Sequence, residues 1–155
     1  MGEFQVPTVP LPAEVLIVDG RKLVGRIFVP AAASRHTGAM RSEEWMEEAQ
    51  PFFPFLADGS PSSVILNKRQ VVALSLPRSS EEPPVTAGGG PVRRIQVFCG
   101  ERVFQGSLVI DMPESQSRVL DCLNRPGSFL GLWDGARHLL IQKRLITRVQ
   151  ENPEG

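Results

Sequence analysis

The sequence predicts an all-β protein with a minor helical part: two five-stranded small barrels in tandem, each with one short helix between its second and third strands. Three observations carry this. Short β-branched runs bounded by glycine turns recur along the chain. The stretch "FPFLADGSPSSVILNKRQVVAL" from Phe53 returns in outline as "FLGLWDGARHLLIQKRLITRV" from Phe129. Between the two lies "PRSSEEPPVTAGGGP", whose Pro, Gly, Ser and Glu content reads as a flexible surface linker.

Taken in order, "EVLIVDG" and its counterpart "RIQVFCG" are first strands running into a glycine turn. "KLVGRIFV" and "RVFQGSLVI" are second strands, in which Gly25 and Gly106 mark a bend or a close backbone approach. "RSEEWMEEAQ" and "SQSRVLDCLN" are helix-like, with Ser42 suited to cap the first and its glutamates suited to the positive end. "FFPFLADG" and "SFLGLWDG" are third strands. "SVILN" and "HLLIQ" are fourth strands, joined by short Lys-Arg connections to the fifth strands "QVVALSL" and "LITRVQ".

Aligning the copies on their Asp-Gly pairs sets Phe53 on Phe129, Leu56 on Leu132, Asp58 on Asp134 and Gly59 on Gly135. With one residue fewer in the second loop, Val64, Ile65 and Leu66 fall on Leu139, Leu140 and Ile141. Lys68 and Arg69 then fall on Lys143 and Arg144, Val71 on Ile146 and Leu74 on Val149. The organisation is an extension over 1–12, a first repeat over 13–76, a linker over 77–91, a second repeat over 92–151 and a tail over 152–155. A unit of about sixty residues buries only about 60% of its unfolded surface. The two copies are therefore expected to pack on one another, with barrel closure removing exposed edges.

Composition narrows the function. Hydrophobic residues make up 41% and charged ones 22%, as in a folded globular chain rather than a disordered one. Seventeen Lys and Arg balance seventeen Asp and Glu, which gives no global attraction to nucleic acid or an anionic membrane. The start "MGEFQVPTVPLP" lacks a basic segment followed by an apolar run, Gly2 lacks the myristoylation pattern, and no stretch is long enough to span a membrane. A cytoplasmic protein is expected. Cys99 and Cys122 are too few for a disulfide framework and read as reduced thiols.

No catalytic constellation is visible. His36 and His138 occupy non-equivalent places, so a metal site or a nucleophile–base pair would need distant carboxylates brought to them. There is no Walker loop, GxSxG or HExxH, and "AGGGP" lies in the linker with no helix following. The Asp-Gly pairs are explained by tight turns that need positive φ. "DGSPSS" begins like the cyclic-dinucleotide motif of PilZ barrels but ends in Ser63, and no RxxxR pair precedes it. The expectation is no catalytic, cofactor or metal residue.

Two binding surfaces are expected instead. In "SEEWMEEAQPFFPF", Trp45, Met46 and Phe52 sit among glutamates including Glu44 and Glu47, an acidic aromatic surface suited to a protein partner. The alternative is nucleic acid. The second half, from residue 92 onward, carries nine Lys and Arg against seven Asp and Glu. Lys68, Arg69, Arg137, Lys143 and Arg144 could follow a phosphate backbone if they emerged on one face. The lack of tyrosine and an aromatic content of 6% leave few stacking platforms for bases.

The order of "RVLDCLN", "FLGLWDG" and "IQKRLITRV" in the second half resembles a bacterial family of Sm-like domains of uncharacterised function. The likeness covers most of Arg94–Val149 and, more weakly, Val15–Leu76. It implies the Sm-like (SH3-like) small barrel. RNA-binding Sm proteins carry an Asp-to-Asn motif before the third strand, whereas Asp121 and Asn124 here lie on a helix-like stretch. They also carry a basic residue followed by glycine between the last strands, where this chain has Lys68-Arg69 and Lys143-Arg144. The resemblance therefore implies the fold and leaves the RNA-binding function behind. The function expected is a non-enzymatic adaptor or protein–protein interaction module without a cofactor, as a monomer or homodimer.

Overall fold

The computed structural model describes residues 7–30, 42–47, 50–77, 92–110 and 118–152, with the side chains of 42–44 outside that description. The first half contains β1 (Thr8–Ile17), β2 (Lys22–Pro30), α1 (Ser42–Glu47), β3 (Phe52–Ala57), β4 (Val64–Asn67) and β5 (Val71–Pro77). The second contains β6 (Val92–Cys99), β7 (Arg102–Val109), α2 (Val119–Leu123), β8 (Phe129–Trp133), β9 (Arg137–Gln142) and β10 (Arg148–Glu151). Each Lys-Arg connection is a single 3-10 turn, Lys68–Gln70 and Lys143–Leu145. His36 and the "AGGGP" stretch lie outside the described residues.

The strands form one antiparallel sheet in the order β10-β6-β7-β8-β9-β5-β1-β2-β3-β4. Each half has the same internal order: fifth, first, second, third, fourth. The duplication therefore extends to topology, but the expected pair of closed five-stranded barrels is overturned. Closure would pair the fourth and fifth strands within each half. Instead β5 pairs with β9 of the other half, from Ala73 opposite Ile141 to Pro77 opposite Arg137. β4 and β10 end the sheet.

The reason lies in the residues of the two central strands. "VVALSL" and "HLLIQ" do not alternate; they are apolar on both faces, and nearly every residue in both is buried. A strand of that kind is stable only when both faces are covered. At the junction the faces divide between two cores. Leu139 and Ile141 enter the second-half core with Ile95, Val97, Leu108, Leu130 and Leu132, and Ala73 joins them from β5. Leu140 points the other way, into the first-half core with Val15, Ile27, Phe55, Leu74 and Leu76. Burial of a leucine contributes roughly 1.5–3 kcal/mol, so each half stabilises its neighbour.

Two mid-strand glycines permit the bends. A Cβ on Gly25 would lie 2.0 Å from the carbonyl oxygen of Leu56, so β2 can cross β3 only with hydrogen at that position. At Gly106 the approach is looser, 3.1 Å to Leu132 Cβ and to the Trp133 carbonyl oxygen.

The register also corrects the sequence alignment by one residue. Phe52 stands opposite Asn67, and Phe129 stands opposite Gln142. Phe129 is thus the counterpart of Phe52 rather than of Phe53, and Phe53 matches Leu130; both of these are 3% exposed. A one-residue slip would send each side chain to the other face of the strand. The slip arises because the Asp-Gly turns are not alike. Gly59 has φ +78°, as a tight turn requires, whereas Gly135 is not in the positive-φ region. There Asp134 Oδ1 instead accepts the N–H groups of Ala136 and Arg137 at 3.0 and 2.8 Å.

Candidate interaction edge

The sheet ends at β4, and that edge collects apolar side chains. Ile65 is 74% exposed, Phe52 on the adjoining β3 is 56% exposed, and Val64 is 47% exposed. The main chain is open there as well. The N–H of Lys68 bonds the carbonyl of Pro51, and that of Lys143 bonds the carbonyl of Ser128. Antiparallel ladders alternate the direction of their hydrogen bonds, so the amides of Ile65 and Leu140 both face away from the preceding strand. That of Leu140 meets β5; that of Ile65 meets no described strand. An edge of this type offers unpaired backbone groups to another chain.

The contrast between repeats is sharp. Through the register, Phe52 and Ile65 correspond to Phe129 and Leu140. Those two second-half residues pack on the first-half core. Their first-half counterparts are exposed.

Polar groups lock the filled β5–β9 joint. Gln142 Nε2 donates to the carbonyls of Lys68, Arg69 and Val71, at 3.2, 3.1 and 2.7 Å. The Arg144 guanidinium donates to the Arg69 carbonyl at 2.7 Å and to Gln142 Oε1 at 3.1 Å. Arg137 donates to the Ser75 hydroxyl and carbonyl and pairs with Glu14 at 3.2 Å, spanning β9, β5 and β1. At the edge of the joint the Glu47 carboxylate accepts the N–H groups of Ser128 and Phe129 at 2.7 and 2.9 Å. This is a charge-assisted contact between α1 and the start of β8.

These bonds place most of the site residues expected from sequence. Trp45 and Met46 are 8% and 2% exposed and belong to the first-half core, with Trp45 edge-on to Phe53. Glu47 faces the second half, and the side chain of Glu44 lies outside the described residues. Among the described side chains of that set Phe52 and Glu47 are exposed, and Phe52 is the apolar one. Of the basic residues, Lys68 is buried, donating to the Trp45 carbonyl at 2.9 Å with its ammonium 5.4 Å from the Trp45 ring. Lys143 donates to the Arg125 carbonyl at 2.9 Å, and partial burial pushes its pKa down. Arg69 is exposed, but its carbonyl is a hub of the joint. Arg137 and Arg144 donate across the joint, Arg144 to the carbonyl of Arg69.

Sequence reasoning passed over Val64 and Ile65 because an apolar strand run reads as core. The available signal was the polar "RVQE" of β10. A fourth strand needing cover on both faces has no matching apolar fifth strand left to supply it.

Elsewhere, His138 is buried and stacked on Trp133, with ring centroids 3.7 Å apart. Cys99 is half-buried, and that burial raises its thiol pKa; Cys122 is buried. Among the described residues no group of three or more His, Cys, Asp or Glu could hold a metal ion. No helix among them is long and apolar enough to cross a membrane. Comparison with protein-family models, with curated proteins and with solved structures gives no match.

Proposed function

We propose that this protein works by binding, as a cytoplasmic protein–protein interaction module whose docking element is the open edge of β4. The observation that carries this reading is the coincidence, at one edge, of exposed Phe52, Val64 and Ile65 with an outward-facing main chain. Strand addition of this kind draws affinity from backbone hydrogen bonds and selectivity from alternate side chains. The competing reading, RNA binding through the Lys-Arg turns, draws less support. Lys68, Lys143 and Arg144 each already donate to backbone carbonyls, and a cation so engaged is poorly placed to follow phosphates.

The test is affinity capture on the purified protein and on Ile65→Lys, with nuclease treatment and a high-salt wash. A defined protein bound to the first and absent from the second supports the edge. Recovery of RNA alone, lost in salt as phosphate contacts are, overturns it.

A further inference from the structure

We infer that the occupant of the β4 edge is the β4 edge of a second copy of this chain, the two strands running antiparallel about a two-fold axis at Ile65. The inference deepens the docking reading above and rests on it.

The two ends of the sheet, β4 and β10, are built differently. β10 is polar, with Arg148, Gln150 and Glu151 exposed, and Cζ of the Arg148 guanidinium lies 3.6 Å from the Phe98 ring centroid. Charged side chains are one way an edge strand is kept from pairing. β4 has no such protection. From Ser60 to Asn67 no residue is charged, and Val64 and Ile65 are exposed. The next residue, Lys68, is turned inward onto the Trp45 carbonyl. An edge that repels nothing of its own kind can meet a copy of itself, and a two-fold contact uses one patch twice.

The main chain fixes the register. The Lys68 N–H points back to Pro51, so alternation turns the amides of Ile65 and Asn67 to the free side of β4. A two-fold axis at Ile65 makes a hydrogen-bonded pair of Ile65 and its own copy, each N–H donating to the other's carbonyl. Val64 then falls opposite Leu66 of the second copy, and Ser63 opposite Asn67. Arg69, the nearest exposed cation, falls opposite Pro61, so no like charges face each other along the ladder. Pro61 has no N–H to offer and ends the pairing there. Side chains agree on both faces. Pro54 stands opposite Ile65 on the outer face, which Phe52 shares, and all three are exposed. Joined to their copies they form one apolar strip, with the two Ile65 side chains a cross-strand pair at its centre. On the other face Leu66 is half-buried against the first-half core, and Val64 of the second copy covers the side it leaves open. The contact closes as a dimer and leaves only the charged β10 edges outside.

The experiment is a charge-swap test by light scattering during size exclusion, across a range of protein concentration. The interface is short, so the unaltered protein is expected to rise from one chain mass to two as concentration increases. Ile65→Lys and Ile65→Asp should each stay at one chain mass, with unchanged circular dichroism spectra, because the axis sets each introduced charge against its own copy. An equimolar mixture of the two should recover the two-chain species, since opposite charges then face each other. The Asn152 N–H bonds the carbonyl of Arg94, so that of Glu151 points to the free side of β10. Glu151→Pro removes that N–H, as an edge strand tolerates, and should dimerise as the unaltered protein does. The proposal is overturned by an unaltered protein that stays at one chain mass up to its solubility limit. It is overturned equally by Ile65 variants that associate as the unaltered protein does, or by a mixture no more associated than its parts. Association that Glu151→Pro abolishes, or species larger than two chains, overturns it too. Loss of a captured foreign protein in Ile65→Lys, from a protein that remains a single chain, would remove the second copy and leave the docking edge standing.

Discussion

Truncating Leu140 to alanine should destabilise both halves of the molecule together. Leu140 is fully buried and belongs by sequence to the second half, yet its side chain lies in the first-half core. The substitution removes three carbon atoms, about 2–2.5 kcal/mol of transfer free energy at roughly 0.8 kcal/mol each. The cavity left between Val15, Leu74 and Leu76 cannot collapse easily inside a hydrogen-bonded sheet, which raises the cost to about 3–4 kcal/mol. For a chain of this size that lowers Tm by roughly 6–16 °C. Ile65→Ala is the matched control: the same place in the repeat, but 74% exposed, so its cost in dilute solution should be no more than about 0.5 kcal/mol. Urea unfolding followed by tryptophan fluorescence is the assay, since Trp45 reports the first half and Trp133 the second. With Trp45→Phe and Trp133→Phe backgrounds, both signals should move to lower urea by the same amount. The reasoning is refuted if only the Trp133 signal moves, or if Leu140→Ala costs no more than Ile65→Ala.

Other perturbations follow from single contacts. Gly25→Ala should lower the unfolding free energy measured in urea more than Gly106→Ala, by about 1–3 kcal/mol, because its Cβ meets a carbonyl at 2.0 Å rather than 3.1 Å; an equal effect of the two would contradict the tight β2–β3 crossing. Glu47→Ala should cost about 1 kcal/mol and speed amide exchange at Ser128 and Phe129, which lose their acceptor; unchanged exchange there would remove the α1–β8 contact. The raised Cys99 thiol favours the protonated form in the folded state. Its contribution to stability is present below the thiol pKa of the unfolded chain and is lost as pH climbs from there through the raised value. At mildly alkaline pH, alkylation of Cys99 followed by peptide mapping should be slower in the folded protein than in urea; equal rates at matched pH would count against burial as the cause.

Much of this fold can be read from the residues, and its failures are instructive. Strand identities follow from β-branched runs between glycine turns, and the duplication follows from the Lys-Arg connections and the apolar runs beside them. Whether those strands close within a repeat or continue into the next does not follow from alternation. Five bent strands carry the same pattern in a closed barrel and in half of an open sheet. The discriminating feature is the absence of alternation in β5, "VVALSL", set against the polar β10, "RVQE". One fifth strand is built to be covered by a neighbour, and the other is built to stand at an edge. The one-residue slip between β3 and β8 was hidden because both turns spell Asp-Gly while only Gly59 adopts positive φ. For the interaction edge, Phe52 was legible as an exposed aromatic. Trp45 and Met46 resembled surface anchors because glutamates surround them in sequence, but a short helix buries one face whatever flanks it. Lys68 shows the reverse: a charged residue in a turn reads as solvated until a buried backbone carbonyl claims its ammonium group.

The central claim is that the two halves share one sheet through β5 and β9 and leave β4 open. Amide hydrogen exchange in dilute solution tests it most directly. The account predicts that the amides of Leu74 and Leu140 exchange only through global unfolding, while that of Ile65 exchanges freely. Leu74 and Leu140 amides exchanging as fast as that of Ile65 would contradict it, and would mean that the repeats do not share the joint described.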